Sequence, residues 1–341
     1  MNVQPLVETV RAMLADGKGL LAMDESTPTC NKRFAALGIP QTVEYRQAYR
    51  ELIVSAPGLG EAISGAILVD ETIRQTTRDG TPMVEMLRRA GIVPGIKVDA
   101  GAKPLAGFPG EKVTEGLDGL RERLAEYRKL GARFAKWRAV ITIGAGLPTA
   151  GCLEANAHAL ARYAALCQEA ELVPIVEPEV LMDGDHSIDA TFDATRRAQQ
   201  AVFEQLFAQR VELRGMILKP NMVVAGSDAA EQPSVERVAE ATVAELLSVV
   251  PPAVPGVAFL SGGQSAELAS ARLNAMNQKH RCRLPWVVTF SYSRAIQQPA
   301  LELWKGQAAH VAAAQRALVH RAKCNAAARR GEYTAAMEAG A

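Results

Sequence analysis

The chain has no pair of cysteines spaced as CxxC; its five, Cys30, Cys152, Cys167, Cys282 and Cys324, are odd in number and widely scattered. That argues against a disulfide framework and against a structural zinc site, and a reducing cytoplasm is the expected location. Nor does any uninterrupted apolar segment reach the length of a membrane span, and the start, MNVQPLVETVRAMLADGKG, has no basic stretch followed by an apolar core. A soluble, unexported protein with no membrane partner is the expectation. An excess of one charge is missing too: Lys+Arg 38 against Asp+Glu 37 leaves a net +1. No overall field therefore favours nucleic acid, and any anion binding must be local. His158, His186, His280, His310 and His320 show no HxxxH or similar spacing, no Walker A sequence occurs, and 144-GAGLPT-149 lacks the third glycine of a dinucleotide fingerprint. The segment 183-DGDH-186 reads as a loop, and neither a metal nor another cofactor is expected.

What is present is an alternation. With 341 residues, 48% of them hydrophobic and 22% charged, the chain can bury a large core, and α/β barrels commonly run this long as one domain. A helical pattern over 5–16 feeds the apolar run 20-LLAM-23, and a helical segment over 42–56 precedes 63-ISGAILVDET-72. Strands recur at 91–99, 131–139, 171–179, 213–221, 256–263 and 286–294, with helical patterns at 116–131, 153–170, 193–210 and 235–250 between them. Short, nearly continuous apolar strands alternating with amphipathic helices indicate a parallel sheet covered by helices. About eight such strands is the number a closed barrel needs. The expectation is an α/β fold, a (β/α)8 TIM barrel forming a single domain over 1–341 with extra N-terminal and C-terminal helices; a doubly wound sheet is the alternative. The last helix is expected as one piece over 300–330, with a charged basic end at Arg321, Lys323, Arg329 and Arg330, followed by a flexible tail over 332–341.

Chemistry gathers at the strand ends. The run 213-LRGMILKPNM-222 delivers Lys219 at its far end and stops on Pro220. An amine at the end of a buried strand is desolvated, which favours the neutral form that attacks a carbonyl; a lysine there can equally snorkel to water. From Lys97 to Lys136, Glu177, Lys219 and Ser261 the steps are 39, 41, 42 and 42 residues, each one βα unit. These residues therefore fall on the C-terminal face, where such barrels place their active sites. Asp24 precedes Lys97 by 73 residues, room for two units, and reads either as another strand-end carboxylate or as a helix cap. Lys136 and Arg138 share one strand face, as do Glu177 and Glu179 one unit later. They are either a salt-bridge layer or the buried set of acids and lysines that proton transfer needs. Ser261, Gly262 and Gly263 in 260-LSGGQS-265, and Arg294 after the eighth strand, offer backbone N–H groups and a forked donor at the usual barrel phosphate site. Ser26 and Lys97 could serve a second phosphate across the mouth.

The segments 18-KGLLAMDEST-27, 96-IKVD-99, 104-PLAG-107, 116-GLDGL-120, 134-FAKWR-138, 174-PIVEPE-179, 218-LKPNM-222, 259-FLSGGQS-265 and 289-TFSYSRA-295, in this order, resemble class I fructose-1,6-bisphosphate aldolase. The resemblance implies a (β/α)8 barrel, a homotetramer, and metal-free, reversible cleavage of fructose 1,6-bisphosphate to dihydroxyacetone phosphate and glyceraldehyde 3-phosphate. It implies that Lys219 forms the Schiff base with the ketose C2 carbonyl, that Glu177 is the acid/base for carbinolamine dehydration, and that Lys136 and Glu179 are the supporting ion network. Asp24 resembles the base that takes the C4 hydroxyl proton as the C3–C4 bond breaks. Ser261, Gly262, Gly263 and Arg294 resemble the C1-phosphate site, Ser26 and Lys97 the C6-phosphate region, and Arg138 belongs to the substrate-binding set.

Three departures from the family pattern stand out. Pro28 and Thr29 occupy the Gly-Ser positions of DESTGS, Ser293 the glycine of FSYGRA, and the chain ends at Ala341 without the terminal tyrosine of the animal enzymes, for which Tyr333 in GEYT is no substitute. The first implies a stiffer C6-phosphate loop. The second implies weaker C1-phosphate binding if that position needs a glycine-only conformation, and the third a slower or differently served proton exchange on the enamine. Two other readings remain: a Schiff-base aldolase for another ketose phosphate such as fructose 1-phosphate, or a catalytically weak barrel that binds a protein partner. The intact set of Asp24, Lys136, Glu177 and Lys219 argues against the last.

Overall fold

Eight parallel strands close on themselves in the computed structural model, which describes residues 3–340. They are β1 (Gly19–Ala22), β2 (Ile63–Leu68), β3 (Val93–Lys97), β4 (Phe134–Ile141), β5 (Val173–Val180), β6 (Ile217–Leu218), β7 (Gly256–Phe259) and β8 (Val287–Tyr292). Each pairs with its neighbours in sequence, and β8 returns to pair with β1. Closure excludes the doubly wound alternative. Strands of such a barrel are covered by helices outside and side chains inside, so β2 and β5 are buried at every residue. Among the described residues no helix is long and apolar enough to cross a membrane.

The barrel interior changes character along its axis. Where the strands begin, Phe134, Val173, Ile175, Ile217 and Ala258 pack against Leu6, Val10 and Met13 of the helix Gln4–Met13, which closes the floor. Gly95 makes room for the Phe134 ring, since a Cβ there would lie 2.2 Å from it. Side chains alternate along a strand, so the inward face that starts with Phe134 continues with Lys136 and Arg138. In the same way Val173 and Ile175 lead to Glu177 and Glu179, and Ile217 leads to Lys219. An apolar floor and a charged mouth thus come from single strands read two residues at a time.

The C-terminal segment differs from the single helix expected over 300–330. It forms two helices, Arg294–Trp304 and Val311–Arg330, because Lys305 (φ 46°) and Gly306 (φ 75°) leave helical geometry. Its basic end is a solvated last turn only in part: Lys323 and Arg330 are exposed, but Arg321 and Arg329 are only 4% and 7% exposed. Arg329 donates to the carbonyls of Leu14, Ala15 and Lys18, tying the last helix to the turn before β1. Arg321 donates to the carbonyls of Ala295 and Ala266 and pairs with Glu338. Within the tail expected to be flexible, Ala335–Gly340 form a short 3-10 helix; Ala341 lies outside the described residues. Four α-helices had no expectation in the sequence: Thr27–Ala35, Asp70–Ile73, Met83–Arg89 and Ala266–His280.

Candidate active site

Lys219 follows Leu218, whose register partner is Val176, and its own N–H donates to the Val176 carbonyl at 2.8 Å. Pro220 then ends the ladder because it has no N–H. The Lys219 side chain does not snorkel: the residue is 3% exposed, and its Nζ faces Glu177 Oε1 at 3.0 Å. Glu177 Oε2 lies 3.4 Å from Lys136 Nζ and has no regular hydrogen-bond partner. Lys136 Nζ continues the chain to Asp24 at 2.7 Å and to Asp99 at 3.9 Å.

Burial alone would raise the Asp24 carboxyl, but the charges of Lys136 and then Lys219 outweigh it and hold it at about 2. The reverse applies to Lys136: burial opposes its charge, and Asp24, Glu177 and Asp99 together push its pKa well above the ordinary lysine range. Asp24 and Lys136 are therefore an ion pair at neutral pH. The helix-cap reading of Asp24 falls away, since the next helix, Thr27–Ala35, is flanked by Ser26. At the rim, Arg138 pairs with Glu179.

The phosphate candidates lie above this layer. Gly262 (φ 55°) and Gly263 (φ 88°) adopt the left-handed region that glycine enters at least cost, and a Cβ on Gly263 would stand 3.4 Å from Arg294 Nη2. Ser293 has φ −107°, so the position needs no glycine-only conformation and the weakening expected on that ground does not arise. Its hydroxyl donates to Glu25 Oε1 at 2.6 Å. Pro28 occupies the first turn of Thr27–Ala35, where a missing N–H costs nothing, and the Thr29 and Ser26 hydroxyls lie 3.0 Å apart. Because β1 lies between β8 and β2, the Ser26 loop sits beside Arg294 rather than across the mouth from it. Lys97, at the end of β3, lies further round and pairs with Asp99 at 3.0 Å.

Eleven of the twelve residues singled out in the sequence line one cavity of about 660 Å³, which Gly263, next to Gly262, does not line. Other residues of the same wall are not marked out by the sequence. Asp99 sits within the quoted 96-IKVD-99 and accepts the Arg138 N–H at 3.3 Å. Glu25, next to Asp24, pairs with Arg33 at 2.6 Å and Arg50 at 2.8 Å. Burial opposes its charge, yet Arg50 and Arg33 hold its carboxyl below the usual range. Ser291 is buried with an unpartnered hydroxyl, and Lys32 and Arg33 come from a helix that had not been foreseen. Seven lysines and arginines face five carboxylates in this wall, so a chain of net charge +1 concentrates positive charge where an anionic substrate would enter.

A family model described as fructose-bisphosphate aldolase class-I matches residues 5–341. A probable class 1 fructose-bisphosphate aldolase of Xanthomonas campestris pv. campestris is 56% identical over 334 residues, covering 98% of this chain and 99% of that protein. Chloroplastic fructose-bisphosphate aldolase 3 of Arabidopsis thaliana is 49% identical, covering 98% of this chain and 84% of its own. Among solved structures, the Plasmodium falciparum aldolase, crystallised with TRAP and a small-molecule inhibitor, superimposes with a TM-score of 0.95 at 46% identity, over 97% of this chain and 96% of that one. A closed barrel whose mouth holds a buried lysine, and likeness over nearly the whole length, lead to one conclusion: the chain belongs to the class I fructose-bisphosphate aldolase family.

Proposed function

We propose that Lys219 is the Schiff-base amine of this aldolase and that Glu177, Lys136 and Asp24 move its protons. The 3.0 Å contact between Lys219 Nζ and Glu177 carries the reading. An attacking amine must first lose a proton, and Glu177 is placed to take it; the same proton then leaves with the carbinolamine hydroxyl as water. The product is a protonated imine at C2 of fructose 1,6-bisphosphate. Glu177, an anion again, draws Lys136 from Asp24, and Asp24 becomes a better acceptor for the C4 hydroxyl proton. As that proton leaves, C4–O becomes a carbonyl, the C3–C4 bond breaks, and its electron pair passes into the iminium as an enamine. Glyceraldehyde 3-phosphate departs; protonation at C3 and hydrolysis of the imine release dihydroxyacetone phosphate and free Lys219.

Arg294 with Ser261, Gly262 and the adjoining Gly263 serves one phosphate; Ser26, on the neighbouring strand end, and Lys97, two strands further round, flank the other. Arg138 and Glu179 frame the sugar between them. Borohydride reduction in the presence of dihydroxyacetone phosphate, followed by peptide mass mapping, should place the adduct on Lys219; an adduct on Lys136, or none, removes the mechanism. A cytoplasmic homotetramer is part of the same reading and is supported by family membership alone; light scattering that returns a monomer mass would end the tetramer.

A further inference from the structure

A second cluster of reactive side chains lies outside the cavity, on the last helix. His320 and Cys324 are four residues apart in Val311–Arg330 and so share a face, with Cys324 Sγ 3.6 Å from His320 Nε2. The chain then turns at Gly331, and the 3-10 helix Ala335–Gly340 brings Glu338 back over the same face. A ligand atom from each of the three lies within 4.8 Å of the other two, and among the described residues no other group of three or more His, Cys, Asp or Glu converges in this way.

The spacing suits a tetrahedral ion. Zinc bonded to sulfur at about 2.3 Å and to imidazole nitrogen at about 2.05 Å, with a tetrahedral angle between them, sets the two donors about 3.6 Å apart. One donor each of nitrogen, sulfur and oxygen selects zinc-like ions over magnesium or calcium, which take oxygen alone. The outer contacts orient the carboxylate: Glu338 Oε1 accepts from Tyr333 Oη at 2.8 Å and from Arg321, which leaves Oε2 free to bind. Arg321 opposes a dication, but a thiolate and a carboxylate together supply two negative charges. Cys324 is 1% exposed, while His320 and Glu338 are half-buried and open a path from solvent. None of the three lines the aldolase cavity.

We propose that His320, Cys324 and Glu338 form a binding site for a zinc-class divalent ion, with water in the fourth position, and that the ion fastens the C-terminal tail to the last helix. Coordination replaces the thiol proton, which passes to water; no electrons are transferred.

Full-length protein stripped with chelator and titrated with cobalt(II) tests this. One equivalent should give a near-ultraviolet thiolate-to-cobalt charge-transfer band and the intense visible bands of four-coordinate cobalt, both bleached by zinc. Cys324→Ser should abolish the charge-transfer band, Cys282→Ser, at the exposed thiol, should keep it, and Glu338→Gln, which removes a ligand, should weaken affinity by more than the roughly 10- to 100-fold that losing an outer partner costs. His320→Gln leaves the buried thiol in place and should weaken binding similarly, so the case does not depend on Cys324→Ser folding. Absence of a thiolate band, or a band that follows Cys282 instead, overturns the site. A band untouched by Glu338→Gln overturns the fastening of the tail.

Discussion

At Ser293 the chain departs from its family's glycine, and the departure is local. The backbone is not in the left-handed region, and the hydroxyl adds a 2.6 Å bond to a Glu25 already clamped by Arg33 and Arg50. Ser293→Gly is therefore expected to leave KM for fructose 1,6-bisphosphate within about threefold. It should lower stability by about 1 kcal/mol, the usual worth of a hydrogen bond to a partly buried group. Steady-state kinetics and denaturant melts measure both, and a tenfold rise in KM would show that the position governs phosphate binding after all. Residue by residue, the site was legible where chemistry repeats at βα intervals, as with Lys136, Glu177 and Lys219. It was not legible at Glu25, a loop residue whose importance comes from Arg50 on the helix Val43–Val54, 25 residues away. No local pattern announces such a contact.

Between the helices Ile188–Ala208 and Val235–Val249 lies a carboxyl with no part in the chemistry. Glu245 is 1% exposed, takes one hydrogen bond from Gln199 Nε2 at 3.3 Å, and leaves Oε1 without a partner. Burial, against the weaker pull of Gln199 and Arg196, pushes its pKa up to about 8 from an ordinary 4.5. The folded protein thus keeps a proton that the unfolded chain has released, so its stability declines as pH rises from about 4.5 and levels off above about 8. Glu245→Gln preserves the shape and should remove the decline, gaining roughly 2–4 kcal/mol at pH 8 and almost nothing at pH 4. Urea denaturation at the two pH values checks it; the same difference at both would refute the protonated carboxyl. The elements themselves were largely legible, because a parallel strand buried on both faces has to read as an apolar run. What failed was the break at Lys305 and Gly306 (φ 46° and 75°), where the glycine is a stop signal set in a pattern that reads as helical on both sides, and Ala266–His280, whose buried Ser270, Arg272 and Asn277 blur its apolar stripe.

On the scale of the molecule, one closed sheet surrounds one graded interior, and among the described residues the only other strands are those of the small ribbon Ala102–Pro104 with Lys112–Thr114. A single cooperative calorimetric transition is expected for the whole chain, with equal calorimetric and van't Hoff enthalpies per unfolding unit; two resolved transitions would divide it. The circumference is uneven, however. Eight register pairs join β4 to β5, but only two join β5 to β6 and one joins β6 to β7. Lys219 stands at that thin seam, and side chains finish the wall that backbone leaves open. Asn221 Oδ1 accepts the Val180 N–H at 3.0 Å while its Nδ2 donates to Thr195, and Thr242 Oγ1 accepts the Val223 N–H at 2.9 Å. Thr195 and Thr242 belong to the same two helices that enclose Glu245. The strand end that carries Lys219 is thus clasped from outside, as a stave is held by its hoop, and a change in how those helices sit together would reach Lys219 before it reached the rest of the barrel.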